Sequence, residues 1–598
     1  MNSKNTKPIP YGLADYGRVV KKDCYYVDKT RYLRSIEEAG DYLFFIRPRR
    51  FGKSLLASMM EAYYDVLYKD RFEELFKETQ VYNNPTGERG KYLMLTFNFS
   101  AVEPSAGKME TSFLNHIRNR ALLFLRKYAD YLIAEVTDLE YYKNTIKESR
   151  SGSDILSTII DLFRGSQQQL YVIIDEYDNF TNTILSSTGE DAYHSLTHDE
   201  GFFRSFFNVL KTGTTELDAP VSRLFLTGVS PVTLDDVTSG YNIGQNISID
   251  PAFNELLGFT GKDVMEMLEY YRKAGLIKHD TQHLLEIMRQ WYNHYTFSKE
   301  SQTTLFNSDM VLYFLVEYLK VYRVPDRLID RNARVDYSKL RHLIIIDRKG
   351  QKEANGNFSR LREISDKGEV SEQLEMSFPL EEMESPENFI SLLFYFGLLT
   401  IKGTHEGKVL FKIPNQTVRR LYYDYIIRIG GEIDLIKVNI KKLDSLLHGM
   451  AYHGDWEAFF NYISERLKSS TSIRDFIREE RVIQGFLLAY LGIGEYFIVH
   501  SERELNKGYA DIVMEPFFAG GEGIKYSYIM ELKYIKKSEA RKKTGMEEKI
   551  RRLKAEAEEK LKKYSGDERF DKTIGKTTLI KLVLIFCGSE LSYMGRVG

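Results

Sequence analysis

The sequence predicts an α/β chain of several domains, and three observations carry that prediction. A short apolar run, YLFFI at 42–46, leads through the basic loop RPRRFGKSL into a segment with helical patterning. A second apolar run, LYVIIDEYD at 170–178, delivers adjacent acids where it ends. Residues 508–533 read GYADIVMEPFFAGGEGIKYSYIMELK, two β-type segments around a glycine-rich turn. At 598 residues the chain is too long for one hydrophobic core, and roughly three or four domains are expected. A hydrophobic fraction of 43% and a charged fraction of 28% are ordinary for a globular protein. The formal charge of −2 excludes a surface that is basic throughout, but leaves room for local basic patches. With Cys24 and Cys587 as the only cysteines, neither a disulfide framework nor a cysteine zinc site can form. The opening MNSKNTKPIPYGL lacks the apolar run of a secretory signal. No stretch approaches the ~18 apolar residues of a membrane span, so a cytoplasmic protein with no membrane partner is expected.

The run at 42–46 is rich in β-formers, as a buried parallel strand would be. After it, Leu55, Leu56, Met59, Met60, Tyr63 and Tyr64 recur at helical spacing. Gly52-Lys53-Ser54 therefore sits between a strand and a helix, the setting a phosphate-binding loop needs. Backbone N–H groups at a helix start cradle phosphate oxygens, and the helix dipole favours the anion. In that arrangement Lys53 reaches the β- and γ-phosphates of ATP, and the Ser54 hydroxyl ligates Mg²⁺. The run ending in Asp175 and Glu176 fits a Walker B strand. Asp175 would hold Mg²⁺, and Glu176 would orient or deprotonate the attacking water. Leu224-Phe225-Leu226 runs into Thr227-Gly228, which makes Thr227 a candidate sensor of the γ-phosphate. Arg47 stands where such a loop normally opens with glycine. Arg49 or Arg50 is expected to contact phosphate, because a guanidinium adds side-chain donors where glycine offers only backbone.

YGLADYGRVVKKDCYYVDKTRYLRSI, RPRRFGKSL and IIDEYDN together resemble the AAA-ATPase-like family of bacterial proteins, which carries this arginine-rich form of the loop. The resemblance runs over about residues 8–320. It implies a P-loop NTPase parallel sheet over 8–258, followed by a small helical lid over 259–325. Thr260 and Asp263 fit a capping box that opens a helix bearing Val264, Met267, Leu268 and Tyr271. Residues 326–450 are expected to be a mixed helical middle region. Within it, 347–385 is polar and reads as a flexible connection or weakly structured insert.

Over 451–598 the pattern changes. Alternation puts Asp511, Val513 and Glu515 on one face of the first β segment, and Ile529, Glu531 and Lys533 on one face of the second. Asp511 and Glu531 can then hold a divalent ion with the Leu532 carbonyl, and Lys533 can activate water or steady a phosphate. Oxygen ligands without His or Cys favour Mg²⁺ or Mn²⁺. The D-x₁₉-E-x-K spacing resembles the PD-(D/E)XK nuclease superfamily, and so implies an α/β restriction-endonuclease-like domain. The resemblance adds Glu480, at the start of the helix RVIQGFLLAYLG, as a further metal ligand. Gln484, Tyr509 and Lys560 depart from that family, where His, Arg and Gln are usual. Residues 533–563 hold thirteen Lys/Arg against six Glu, a surplus suited to a phosphate backbone. Glu547 with Arg551 and Glu556 with Lys560 stand at ion-pair spacing along a helix.

Two functions are thus expected. In the first, an ATPase drives a metal-dependent nuclease acting on nucleic acid, DNA ahead of RNA. The family resemblance places such a pair in bacterial defence or mobile-element conflict, with homo-oligomers allowed. In the second, a nucleotide-gated regulatory or assembly protein carries a nuclease-like domain that binds without cutting.

Overall fold

The computed structural model describes residues 6–103, 108–133, 138–179, 201–215, 219–231, 244–325, 327–330, 341, 344–348, 351–354, 356–378, 382, 385–433, 437–469, 480–506, 508–517, 523–536, 543–564 and 567–597. It is a mixed α/β protein that divides into two compact units. One holds Met1–Tyr322 with Ser338–Leu343 and Ser371–Phe411; the other holds Arg323–Tyr337, Ile344–Val370 and Lys412–Gly598. Among the described residues no helix is long and apolar enough to cross a membrane.

The first unit is built on five parallel strands: β1 (Tyr42–Ile46), β2 (Tyr92–Asn98), β3 (Gln169–Asp175), β4 (Val221–Gly228) and β5 (Gln245–Asn246). Their order is β2-β3-β4-β1-β5. Leu43, Phe44, Phe45 and Ile46 are all buried, as expected where helices cover both faces of a sheet. The register sets Asn98 beside Asp175, Asp175 beside Thr227, and Ile46 beside Gly228. The polar ends of four strands therefore meet along one edge, the edge where such sheets bind ligands. The helix Lys53–Tyr64 follows β1 and buries Leu56, Met59, Met60, Tyr63 and Tyr64. Thr260 and Asp263 form the expected capping box at the start of the helix Gly261–Lys273.

The second unit contains a five-stranded sheet in the chain order Phe497–Leu505, Gly508–Pro516, Tyr526–Ile535, Thr578–Cys587, Glu590–Val597. The Gly508–Pro516 and Tyr526–Ile535 strands pair antiparallel, as the expected hairpin requires. The next pairing is parallel and is bridged by the long helix Lys543–Lys563. Ala557 and Leu561 of that helix are buried with Val513, Ile529 and Ile585 of the sheet. The helix Glu480–Gly492 also packs against this sheet.

One expectation needs correction. The polar stretch 347–385 is not a loose connection where it is described. Ile345–Arg348 pairs with Gln351–Ala354 as an antiparallel hairpin, and Gly356–Lys367 is a helix. Phe358, Leu361 and Ile364 recur at three-residue spacing and are buried. This narrow stripe is diluted in the sequence by the charges on the opposite face.

Candidate functional site

At the edge of the first sheet, the loop after β1 turns sharply into the helix Lys53–Tyr64. Gly52 caps that helix with φ +101°, a conformation open to glycine but strained for other residues. Lys53 is buried, and its ammonium donates to the carbonyls of Arg47 at 3.0 Å and Pro48 at 3.1 Å. Burial lowers its pKa against the opposing pull of Asp175, Asp178 and Glu176. The Ser54 hydroxyl donates to Asp175 Oδ2 at 2.6 Å, and Asn98 donates to the same oxygen at 3.1 Å. Asp175 Oδ1 and the neighbouring Thr227 Oγ1 are buried with no hydrogen-bond partner among the described residues. Burial raises the pKa of Asp175 and of Glu176, and for Glu176 the Asp175 charge adds to the rise. Glu176 has φ +53°, a strained conformation for a side chain with a Cβ. The structure thus brings Gly52, Lys53, Ser54, Asp175, Glu176 and Thr227 to one edge.

The three arginines of the loop take separate roles. Arg47 is 1% exposed, lies 4.3 Å over each of the Phe45 and Phe297 rings, and donates to the carbonyls of Ile46, Ser248 and Phe253. Arg50 pairs with Asp309 at 2.8 Å, and its backbone carbonyl accepts from Asp309 N and Ser308 Oγ, each at 3.3 Å. Arg49 donates to Asn179 at 3.2 Å, and its charge reaches both Lys53 and Glu176.

Two residues of this edge were missed by sequence reasoning. Asp178 accepts from Val229 N at 3.1 Å and Ser230 N at 2.8 Å, which ties the acid-bearing turn to the end of β4. That contact needs glycine at 228, because a Cβ there would lie 2.5 Å from Asp178 Oδ1. The third acid of IIDEYD was its only signal. Asn98, which steadies Asp175, had no signal beyond its place at a strand end. In the family-like stretch at 26–30, Asp28 accepts from Thr30 N and Gln80 N, and Lys29 is buried against the Glu255 carbonyl; both serve the fold.

In the second unit, Val513 pairs with Ile529, so Asp511 stands opposite Glu531. Leu532 N donates to Asp511 Oδ2 at 2.6 Å, and Gln484 donates to the Asp511 carbonyl at 2.8 Å. Glu531 is fully buried. Its Oε2 lies 3.2 Å from Lys533 Nζ and 3.3 Å from Lys560 Nζ. Lys533 also donates to the Leu532 carbonyl at 2.9 Å and stands 3.9 Å from Asp511. The Tyr564 hydroxyl is 2.7 Å from the Tyr509 carbonyl and 3.1 Å from Glu531 Oε1, and its one proton serves one of them at a time. Burial, then the Glu531 charge, pushes the Asp511 carboxyl up to about 7. Glu480 is half-buried within electrostatic reach of Lys533, Glu531 and Lys560, and burial raises its pKa.

This arrangement corrects one expectation. Lys560 does not pair along its helix with Glu556. It turns inward to Glu531, and Arg552 takes Glu556 at 3.5 Å. Asp511 and Glu531 stand together on the sheet with Glu480 within electrostatic reach, and among the described residues no three His, Cys, Asp or Glu side chains are drawn together around one point. The Asp511 and Glu531 oxygens are of the class that Mg²⁺ or Mn²⁺ takes, and two ammonium groups compensate the buried Glu531. Tyr564 was overlooked because its role appears only when the helix is laid against the sheet.

Comparison with known proteins follows the same division. A family model described as a predicted AAA-ATPase matches residues 10–238, and one for the PD-(D/E)XK nuclease superfamily matches 478–595. An uncharacterized protein in the vnfD 5′ region of Azotobacter chroococcum mcd 1 is 26% identical over 322 residues. That alignment covers 53% of this chain and 53% of the relative, so the chain spans about half the length of the curated relative it matches. Two structures of the Aeropyrum pernix ORC2 protein, in ADPNP-ADP complexes and in the ADP form, align at 13% identity with TM-scores of 0.30 and 0.28. They cover 72% and 71% of this chain and 96% of their own. The chain thus carries a domain of the predicted AAA-ATPase family over residues 10–238 and a domain of the PD-(D/E)XK nuclease superfamily over residues 478–595.

Proposed function

We propose that this protein binds and hydrolyses ATP at the loop 47–54 and uses the nucleotide to control how its nuclease-superfamily domain engages nucleic acid. One observation carries the reading. Lys53, Ser54, Asp175, Glu176 and Thr227 converge on the ligand edge of a parallel sheet, where Asp175 Oδ1 and Thr227 Oγ1 are buried with no hydrogen-bond partner among the described residues. An orphaned carboxylate oxygen beside a serine hydroxyl suits a hydrated Mg²⁺, which Ser54 and Asp175 would hold to offset phosphate charge.

The chain's own groups do the remaining work. Lys53 exchanges its two carbonyl partners for phosphate oxygens, and its buried charge favours that exchange. Arg49 is the loop arginine placed to add a guanidinium, whereas Arg50 is engaged by Asp309. Glu176, its pKa raised by burial, suits a base that orients water and takes its proton. Thr227 senses the terminal phosphate through its hydroxyl. In the second domain Asp511, Glu531 and Lys533 face one point on the sheet, beside the basic helix Lys543–Lys563, and DNA is its substrate ahead of RNA. The Lys560–Glu531 contact favours the reading in which this domain grips nucleic acid without cutting it while Lys560 is in place. A cytoplasmic setting in bacterial defence or mobile-element conflict accords with the pairing of the two domains.

The test is ATP turnover together with DNA and RNA binding and cleavage, in Mg²⁺ and in Mn²⁺. Lys53→Ala should lose ATP binding. Glu176→Gln should bind ATP yet turn over roughly a hundredfold slower. Wild-type turnover in both variants would remove the nucleotide assignment.

A further inference from the structure

The nuclease-superfamily site is short of one thing, an open carboxylate edge, and one of the two cations that close it comes from another element. Glu531 is wholly buried, and a buried carboxylate requires compensating charge. Lys533 supplies part of it but is shared with the Leu532 carbonyl and lies close to Asp511. The second cation, Lys560, comes from another element and reaches the same Oε2 at 3.3 Å. Asp511 and Glu531 would hold a divalent ion only by sharing the Glu531 carboxylate with Lys560, and two cations on one carboxylate repel each other strongly away from water.

The fold sets this position. Ala557 and Leu561 anchor the helix in the core, and Tyr564, one turn beyond Lys560 on the same face, is fixed at the Tyr509 carbonyl and beside Glu531. The Lys560 side chain is 48% exposed, so its flexible stem can also withdraw to solvent without moving the helix.

We propose that Lys560 is a built-in counter-ion that occupies the divalent-cation position at Glu531, so that a divalent ion binds Asp511 and Glu531 only in competition with it. The proposal rests on reading Asp511, Glu531 and Lys533 as the nuclease-type site. It makes the metal-poor form the resting form, and makes any contact that draws Lys560 away, such as a phosphate backbone on the basic helix, a trigger for metal entry.

The test is calorimetric titration of the full chain with Mn²⁺, without nucleotide, for wild type, Lys560→Gln, Lys560→Arg and Lys560→Gln/Asp511→Asn. Lys560→Gln should bind Mn²⁺ roughly tenfold or more tightly than wild type, because the competing charge is gone. Lys560→Arg should stay near wild type, and adding Asp511→Asn should cancel the gain. Melting curves without metal report whether each variant folds, and Lys560→Met serves as the uncharged variant should Lys560→Gln not fold. Equal Mn²⁺ affinity in wild type and the uncharged variant, or an equal gain in Lys560→Arg, would overturn the proposal. A gain that survives Asp511→Asn would overturn both it and the site reading beneath it, with ATP turnover unaffected in either case.

Discussion

Arg47 holds a full charge at the end of β1 with backbone carbonyls as its hydrogen-bond partners among the described residues, and burial pushes its pKa down to about 9. What retains it is geometry: one planar guanidinium serves three carbonyls while both its faces lie against aromatic rings. Lysine keeps the charge but offers neither the fork nor the flat faces. Arg47→Lys is therefore expected to cost on the order of 2–4 kcal/mol in denaturant unfolding. Arg49→Lys should leave stability near wild type and weaken ATP binding instead, which separates a strut from a ligand contact. Asp366 gives a second residue-scale prediction. Its carboxyl is buried beside the Gly485 backbone, with Arg362, Glu363, Arg481 and Glu502 around it, and burial raises its pKa to about 7. The unfolded chain binds its proton less tightly, so stability falls as pH rises from about 4 to about 7 and is level above that. Asp366→Asn stays neutral throughout. Its advantage over wild type should open across that window and reach on the order of 2 kcal/mol, as read from unfolding at pH 4, 6 and 8.

Local signals made some elements legible and left others hidden. The strand, loop and helix at 42–64, the acid pair ending β3 and the capping box at Thr260 all declare themselves within a few residues, where covalent spacing fixes geometry. The helix Gly356–Lys367 did not, because its stripe is narrow and its other face is charged. Long-range placements stayed hidden for a different reason. The burial of Arg47, the reach of Asp178 across to β4, and the inward turn of Lys560 and Tyr564 depend on which elements pack together, which periodicity does not encode. The helix Gly261–Lys273 shows how the two kinds of information combine. Thr260 accepts from Asp263 N at 3.1 Å, and Asp263 accepts in return from Thr260 N at 2.8 Å. The same Asp263 also lies 3.5 Å from buried Lys29, a contact the capping pattern does not reveal. Thr260→Ala should cost about 1 kcal/mol, the usual value of a cap. Asp263→Ala should cost more, because it also leaves the buried Lys29 ammonium without that carboxylate, held by the neutral Glu255 carbonyl. Equal losses in thermal unfolding would mean that the Lys29 pairing contributes nothing.

At the scale of the whole molecule, each compact unit carries its own polar site, and the proposed function requires the two sites to share a free energy. Such sharing is reciprocal: if ATP changes the affinity for nucleic acid by some factor, nucleic acid changes the affinity for ATP by the same factor. Glu176→Gln is the form in which to measure it, because it should hold ATP without consuming it. Binding of a DNA duplex to this variant, read by fluorescence anisotropy, is expected to differ roughly tenfold between ATP and ADP, within the usual range of coupling energies. ATP binding with and without DNA should show the same ratio. Lys53→Ala should abolish both differences while keeping its basal DNA affinity, because that affinity comes from the basic helix of the other unit. The DNA affinity should also fall steeply with salt in every variant, since phosphate contacts release counterions. Matching ratios would establish that the nucleotide site governs the second domain. A DNA affinity indifferent to nucleotide would leave two independent activities on one chain and would defeat the proposed control.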